Sequence, residues 1–200
     1  MPHIFVHFPQ HAFPGEARHA LVEAITNAAC HAEKIPAHAQ QRFWCWVLLQ
    51  DMPASHIHCG GQDVSARLLP CMVRIICPAG VLDESMKQTY VERIQDAFEQ
   101  CLPTTETRVL AISVILEEIP EGHWGVNGTV WRLPDFAKAA GFSHLQHLTH
   151  PHSGLSARPG QTAPSPQASK DRWPDWLQTL GARSRRGRRR RSGARAHRLI

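Results

Sequence analysis

Two stretches, VLLQDMPASH at residues 47–56 and VILEEIPEGH at residues 114–123, share an apolar strand, an acid, an apolar residue, a proline and a histidine at the same offsets. Each reaches a glycine five residues past its histidine, at Gly61 and Gly128. Upstream, LVEAI (21–25) registers over YVERI (90–94) in two segments of helical spacing. Further upstream stand two short apolar strand patterns, IFVHF (4–8) and CMVRIIC (71–77). The same three elements in the same order on both sides identify a duplicated β-α-β unit. Each unit is a parallel strand pair joined by a helix, with a right-handed crossover expected. The fold class is therefore α/β (α+β): a duplicated β-α-β unit giving a four-stranded sheet backed by two helices. The face without helices stays apolar and exposed in a monomer, which predicts self-association.

Within these units the apolar spacing predicts helices over residues 14–32 and 83–102. Pro14 and Glu16 suit the start of the first, and Pro36 lies beyond its end. Leu21, Val22, Ile25, Ala28 and Ala29 form its inward stripe; in the second, Met86, Tyr90, Val91, Ile94, Ala97 and Phe98 do. RFWCWVLLQDMP (42–53) and RVLAISVILEEIP (108–120) read as the closing strands. The expected organisation is a duplicated domain over 1–128, with unit one at 2–61 and unit two at 70–128. An extension over 129–148 carries a strand and a short helix from Pro134 to about Ala140. From Thr149 to the end, the Pro, Ser, Gln, Ala and Gly content and the run RSRRGRRRR predict a disordered basic tail.

The net charge of +5 hides an asymmetry. Residues 1–148 hold 10 Lys/Arg against 15 Asp/Glu, and residues 149–200 hold 12 against 2. The arginine run thus fits salt-sensitive, sequence-independent phosphate binding, a non-enzymatic reading in which nucleic acid would be a weak partner of the tail. No apolar run approaches the roughly 20 residues needed to cross a bilayer. Six cysteines stand without a C-x-x-C pair or a secretory leader, so reduced thiols and a cytoplasmic location are expected. There is no phosphate-binding glycine loop or dinucleotide fingerprint, and no cofactor is implied. His144, His147, His150 and His152 are interrupted by Pro151 and completed by no acid or cysteine, so no metal site is assigned.

Pro2 follows the initiator methionine and leads directly into IFVHF. Removal of Met1 would expose a secondary amine in place of an amide nitrogen that has no basic lone pair. An α-amino group titrates near 8, and burial lowers that value by disfavouring the charged form. A group poised near neutrality can take and return protons. The bland alternative is a proline that starts an edge strand, where its missing N–H is tolerated.

Pro2 before a strand, GEARHALVEAIT in the first helix and above all EEIPEGHWGVNG (117–128) give the chain its family likeness. It resembles the tautomerase superfamily: 4-oxalocrotonate tautomerase, malonate semialdehyde decarboxylase, the chloroacrylic acid dehalogenases and macrophage migration inhibitory factor. The resemblance covers roughly residues 2–128, with QDMPASHIHCGG (50–61) as a degraded copy of the second motif. It implies a tautomerase/MIF-like fold, an amino-terminal proline as general base or general acid, and, for two fused units, a homotrimer. The implied activity is a cofactor-independent isomerase, a tautomerase moving a proton in a small anionic enol or 2-oxo acid. The alternative on the same scaffold is a dehalogenase, hydratase or decarboxylase of a three-carbon acid, with Glu117 and Glu118 as nearby acids.

The chain departs from the family in its cations. The loops HAFPGE and CPAGVLDE hold no arginine, and the strand arginine of the short tautomerases falls on Trp46 in copy one and Ser113 in copy two. Fixed positive charge aimed at a developing oxyanion is commonly the largest catalytic contribution, so its replacement is the central question. Arg74, His7 and Arg132 are the candidates for holding a carboxylate or oxyanion, with His11 as a further donor. Trp124 matches the family's hairpin aromatic and is a candidate apolar wall. His56 and His123 recur at one repeat offset and, with Asn127 and the following glycine, suit turn geometry.

Overall fold

The computed structural model describes residues 2–149. Strand β1 (His3–Pro9) leads through a turn into helix α1 (Glu16–Ala32). A single helical turn, α2 (Ala39–Arg42), precedes strand β2 (Trp46–Met52). A hairpin of two short strands, β3 (His58–Cys59) and β4 (Gln62–Asp63), closes the first unit. The second unit repeats the order with β5 (Leu68–Pro78), α3 (Glu84–Cys101), β6 (Val109–Ile119) and the hairpin β7 (Trp124–Val126) and β8 (Thr129–Trp131). Helix α4 (Leu133–Ala140) and a 3-10 segment (Ser143–Thr149) follow.

The sheet order is β2-β1-β5-β6. Each unit contributes its expected parallel pair, and the two units meet antiparallel along β1 and β5, with Phe5 opposite Arg74. Alternation assigns the faces. Ile4, Val6 and Phe8 of β1 and Leu69, Cys71, Val73, Ile75 and Cys77 of β5 are buried under α1 and α3. That core is bound by an aromatic chain in which Phe13 stands edge-on to both Phe8 (5.2 Å) and Phe98 (5.6 Å). Arg18 of α1 reaches Asp51 of β2 at 2.6 Å and lies over the Phe8 ring. Asp83 starts α3 by accepting the Met86 N–H at 2.8 Å, which satisfies one of the unpaired donors of the first turn.

The opposite face is open, as the apolar pattern of four strands over two helices requires. Trp46, Leu48, Met72 and Ile115 are each 41–46 % exposed on it. Several details differ from the sequence expectation, among them the start of β5 at Leu68 and the pairing of β8 with β7. The second strand begins at Trp46 instead of Arg42, because residues 39–45 turn back through α2 and a tight loop. Val91 is 37 % exposed on the flank of α3, since one more apolar residue beside Tyr90 overruns the width of the buried stripe.

Both hairpins turn on two residues with positive φ, Gly60 and Gly61 in the first and Asn127 and Gly128 in the second. This is the tight turn whose twist matches paired strands, and it accounts for the recurring glycine of the two copies. Among the described residues no helix is long and apolar enough to cross a membrane.

Candidate active site

Pro2 continues β1 by one residue. Its carbonyl accepts the Trp46 N–H at 3.0 Å, which extends the β1–β2 ladder, and the residue is buried. In the alternation of β1 it falls in line with Ile4 and Val6, on the helix-facing side. The register that pairs His3 with Ile76 brings Cys77, itself fully buried, beside it. The start of the central strand therefore opens toward the space between the sheet and the C-terminal end of α1.

On the other side of the strand, His3 is held in an aromatic clamp. Its ring stacks on Trp46 (4.7 Å, 14°), and Trp124 meets it edge-on at 4.8 Å. Trp124 in turn contacts Phe136, which contacts Trp131, which contacts Trp44. The β7–β8 hairpin and α4 thus lay an aromatic wall across the amino-terminal end of β1. Burial and the adjacent amino-terminal charge lower the His3 pKa, favouring the neutral ring. Its Nε2 is buried without a hydrogen-bond partner among the described residues.

At the C-terminal end of α1, within reach of the amino-terminal charge, lies a carboxyl that the sequence did not single out. Glu33 caps the C-terminal end of α1 and is fully buried, the one charged side chain in the core among the described residues. The hydroxyl of Tyr90, also fully buried, donates to its Oε1 at 3.2 Å. Burial pushes the Glu33 pKa up, opposed by the amino-terminal charge, a hydrogen bond to that terminus, the Tyr90 hydroxyl and His144. Burial and the neighbouring Glu33 push the Tyr90 phenol well above its ordinary value. Cys45, hydrogen-bonded to Cys30, and Cys77 are also raised, and Cys77 owes most of this to desolvation.

A carboxyl whose pKa is higher folded than unfolded favours the protonated folded state. Its contribution to stability is fully present below the unfolded value, about 4.3, and is lost as pH rises through the folded value. Glu33→Gln, which cannot ionise, is therefore expected to melt at higher temperature than the native chain near pH 7. The difference should shrink to nothing toward about pH 4, where both side chains are neutral. Melting curves across that range check it, and a native chain more stable than the variant at neutral pH would contradict it.

The other candidates are distributed as follows. Trp124 is in the aromatic wall. Arg74 lies on the open face, its Nε donating to Glu117 at 2.7 Å. His7 is also on the open face, opposite Gln50 and Met72, five residues along β1 from Pro2 and so about 16 Å away within one protomer. Arg132 precedes α4 and faces Glu121 at 3.7 Å from a largely exposed position. Glu118 bonds Lys87 (3.1 Å) and accepts from the Gly80 N–H. His144 is fixed by a 2.8 Å contact to the Val81 carbonyl. His150, His152 and the basic tail lie outside the described residues. One protomer gathers Pro2, His3, Trp46, Trp124, Glu33 and Tyr90 at one end of the sheet, with His7 farther along β1 and with Arg74 and Arg132 paired to Glu117 and Glu121.

The duplication supplies an internal comparison. The strand match puts Trp46 over Ser113, and since Trp46 pairs with His3 and Ser113 with Met72, Cys71 takes the place of Pro2 in the second unit. The helix match puts Leu21 at the place of Tyr90 and Leu102, the C-cap of α3, at the place of Glu33. That second end opens into a cavity of about 420 Å³ lined by His7, His56, His58, Cys71, Met72 and Ser113. Burial pushes the Cys71 thiol up to about 12, so it is not a ready nucleophile.

The fold has solved counterparts. A fused 4-OT wild-type symmetric trimer aligns over 69 % of this chain and 98 % of its own, at 24 % identity and a TM-score of 0.51. RhCC from Rhodococcus jostii RHA1 aligns over 71 % and 94 %, at 19 % identity and 0.53. Pt0534 inactivated by 2-oxo-3-pentynoate aligns over 64 % and 94 %, at 16 % identity and 0.52. At these identities the likeness establishes the fold. No curated protein sequence matches the chain. The model of a family described as putative oxalocrotonate tautomerase enzyme matches residues 1–145, from the proline-led strand through the hairpin and α4. With that match spanning both units of the duplicated sheet, the chain belongs to this tautomerase family.

Proposed function

We propose that this protein is a cofactor-independent tautomerase that moves a proton in a small anionic enol or 2-oxo acid, with the nitrogen of Pro2 as general base after removal of Met1. The observation that carries the reading is the position of Pro2: a buried residue at the head of the central strand, pinned to Trp46 and flanked by an aromatic wall, in a chain of the tautomerase family. The low polarity of that wall keeps the amine from holding its proton too tightly. Trp124 bounds the substrate on the apolar side. An enzyme of this kind must bind the dienolate-like transition state better than the starting acid, which requires positive charge or donors near the developing oxyanion.

The functional form is a homotrimer. The open face presents Trp46, Leu48, Met72 and Ile115 together, an apolar patch of the kind that marks an interaction surface. The fused 4-OT of the same fold is a symmetric trimer. His7 and Arg74 lie on this face, so assembly would bring both against a neighbouring protomer. Leu48→Glu places a charge on that face and is expected to shift the protein from trimer to monomer. Native mass spectrometry at micromolar concentration reads this directly, and a persistent trimer would move the interface off the sheet.

Ketonisation of 2-hydroxymuconate and of phenylenolpyruvate, followed by ultraviolet absorbance with Met1 removal verified by mass, tests the activity. Turnover of either is expected. Failure of both with a trimeric, correctly processed protein would overturn the assignment. The alternative, dehalogenation, hydration or decarboxylation of a three-carbon acid, has weaker support from the acids first considered for it, because Glu117 is held by Arg74 and Glu118 by Lys87. The cytoplasmic location and the nucleic-acid reading of the tail stand as proposals from the sequence.

A further inference from the structure

The Glu33–Tyr90 pair is unexplained by packing. A buried carboxyl is costly, and the hydrogen bond donated by Tyr90 offsets only part of that cost. Its position has a pattern. The pair stands only at the end of the sheet that holds Pro2; at the duplicated end, where Cys71 replaces the proline, the same two places are Leu102 and Leu21. The second unit shows that apolar residues satisfy the fold at these sites. A carboxyl is present where an amine is present.

We propose that the Glu33 carboxyl, oriented by the Tyr90 hydroxyl, is the partner of the Pro2 nitrogen and shares a proton with it. Pro2, Cys77 and Tyr90 are buried on the same side of the sheet, and Glu33 meets Tyr90 there. The amino-terminal charge that acts on Glu33, Cys30, Cys45 and Cys77 alike is carried by Met1, one residue ahead of Pro2, and removal of Met1 transfers it to the Pro2 nitrogen. The groups facing Glu33 are Cys30 from its own helix, Tyr90 from α3, Cys45 ahead of β2, Cys77 from β5 and His144 after α4. Farther out, Arg42 acts on Cys30, and Lys87 and Glu118 act on Cys77. Carboxyl and amine then titrate as a pair. Glu33 is a positioning residue: it sets how firmly the base holds its proton, while Pro2 alone meets the substrate.

This rests on the reading of Pro2 as a processed amino-terminal base, and its test needs no substrate. In ¹⁵N-proline-labelled protein with Met1 removed, one proline is an amine and the others are amides, so a single resonance moves with pH. Glu33→Gln is expected to lower the apparent pKa of that resonance by about 1 pH unit or more, since an opposite charge at contact distance favours the protonated amine. Tyr90→Phe is expected to shift it in the same direction by less, because loss of the donated hydrogen bond favours the neutral carboxyl. A merely structural role would change melting temperature and leave the titration where it was. Superimposable curves for the native chain and both variants would overturn the proposal, even if the enzyme turned over its substrates. Shifted curves with no ketonisation would sustain it and count against the tautomerase reading instead.

Discussion

Pro2→Ala is expected to reduce ketonisation by about 10²–10⁴-fold, the usual contribution of one positioned general base. Alanine keeps a free α-amine after Met1 is removed, and it keeps the carbonyl that accepts the Trp46 N–H at 3.0 Å. What it loses is the ring. In proline the pyrrolidine fixes the nitrogen against Cα, so the lone pair has one direction; in alanine the amine rotates and must be frozen for each proton transfer. The circular dichroism spectrum and the trimer should be unchanged, so the loss would lie in the chemical step. Turnover equal to that of the native chain, with methionine removal verified by mass, would eliminate Pro2 as the base.

Phe98→Ala is expected to cost about 3–5 kcal/mol, the range found when a buried aromatic is cut to alanine. Phe98 is fully buried, and its contact with Phe13, which itself meets Phe8, ties α3 to the loop ahead of α1 and to β1. Such a loss approaches the whole stability of many domains, about 5–15 kcal/mol, so partial unfolding near 37 °C is the expected phenotype. The urea midpoint should fall sharply with little change in slope. A cost under about 1 kcal/mol would mean that neighbouring side chains collapse into the space and that the stack does not clamp the helices.

Much of the fold was legible because the duplication repeats its signals. The matched QDMPASH and EEIPEGH ends, the helical stripes and the Gly-marked turns are local patterns, and local geometry forms them in both copies. Boundaries were less legible where local preference yields to chain closure. Residues 42–45 look like strand and instead finish the turn after α2, and Val91 looks inward and sits on the flank. Pro2 and Trp124 were singled out from position and family likeness, and the fold puts Pro2 at the head of β1 and Trp124 edge-on to the neighbouring His3. Trp46 appeared in the sequence only as the place of a missing arginine, and the fold makes it the stacking partner of His3.

Glu33 gave no signal at all. Five residues from Lys34 to His38 separate it from α2, and in sequence it reads as a charged, solvated helix end. Tyr90, the only tyrosine of the chain, reads as one more apolar position in the stripe of α3. They stand 57 positions apart, and only the packing of α1 beside α3 brings the hydroxyl to the carboxyl. The sequence by itself determined the duplicated β-α-β order, the helix-facing alternation and the proline at the head of the first strand, because these depend on period and position along one chain. The tertiary structure alone decided which face Pro2 joins, which acids hold the candidate cations Arg74 and Arg132, and which buried acid meets the Tyr90 hydroxyl, because those depend on how separate elements pack.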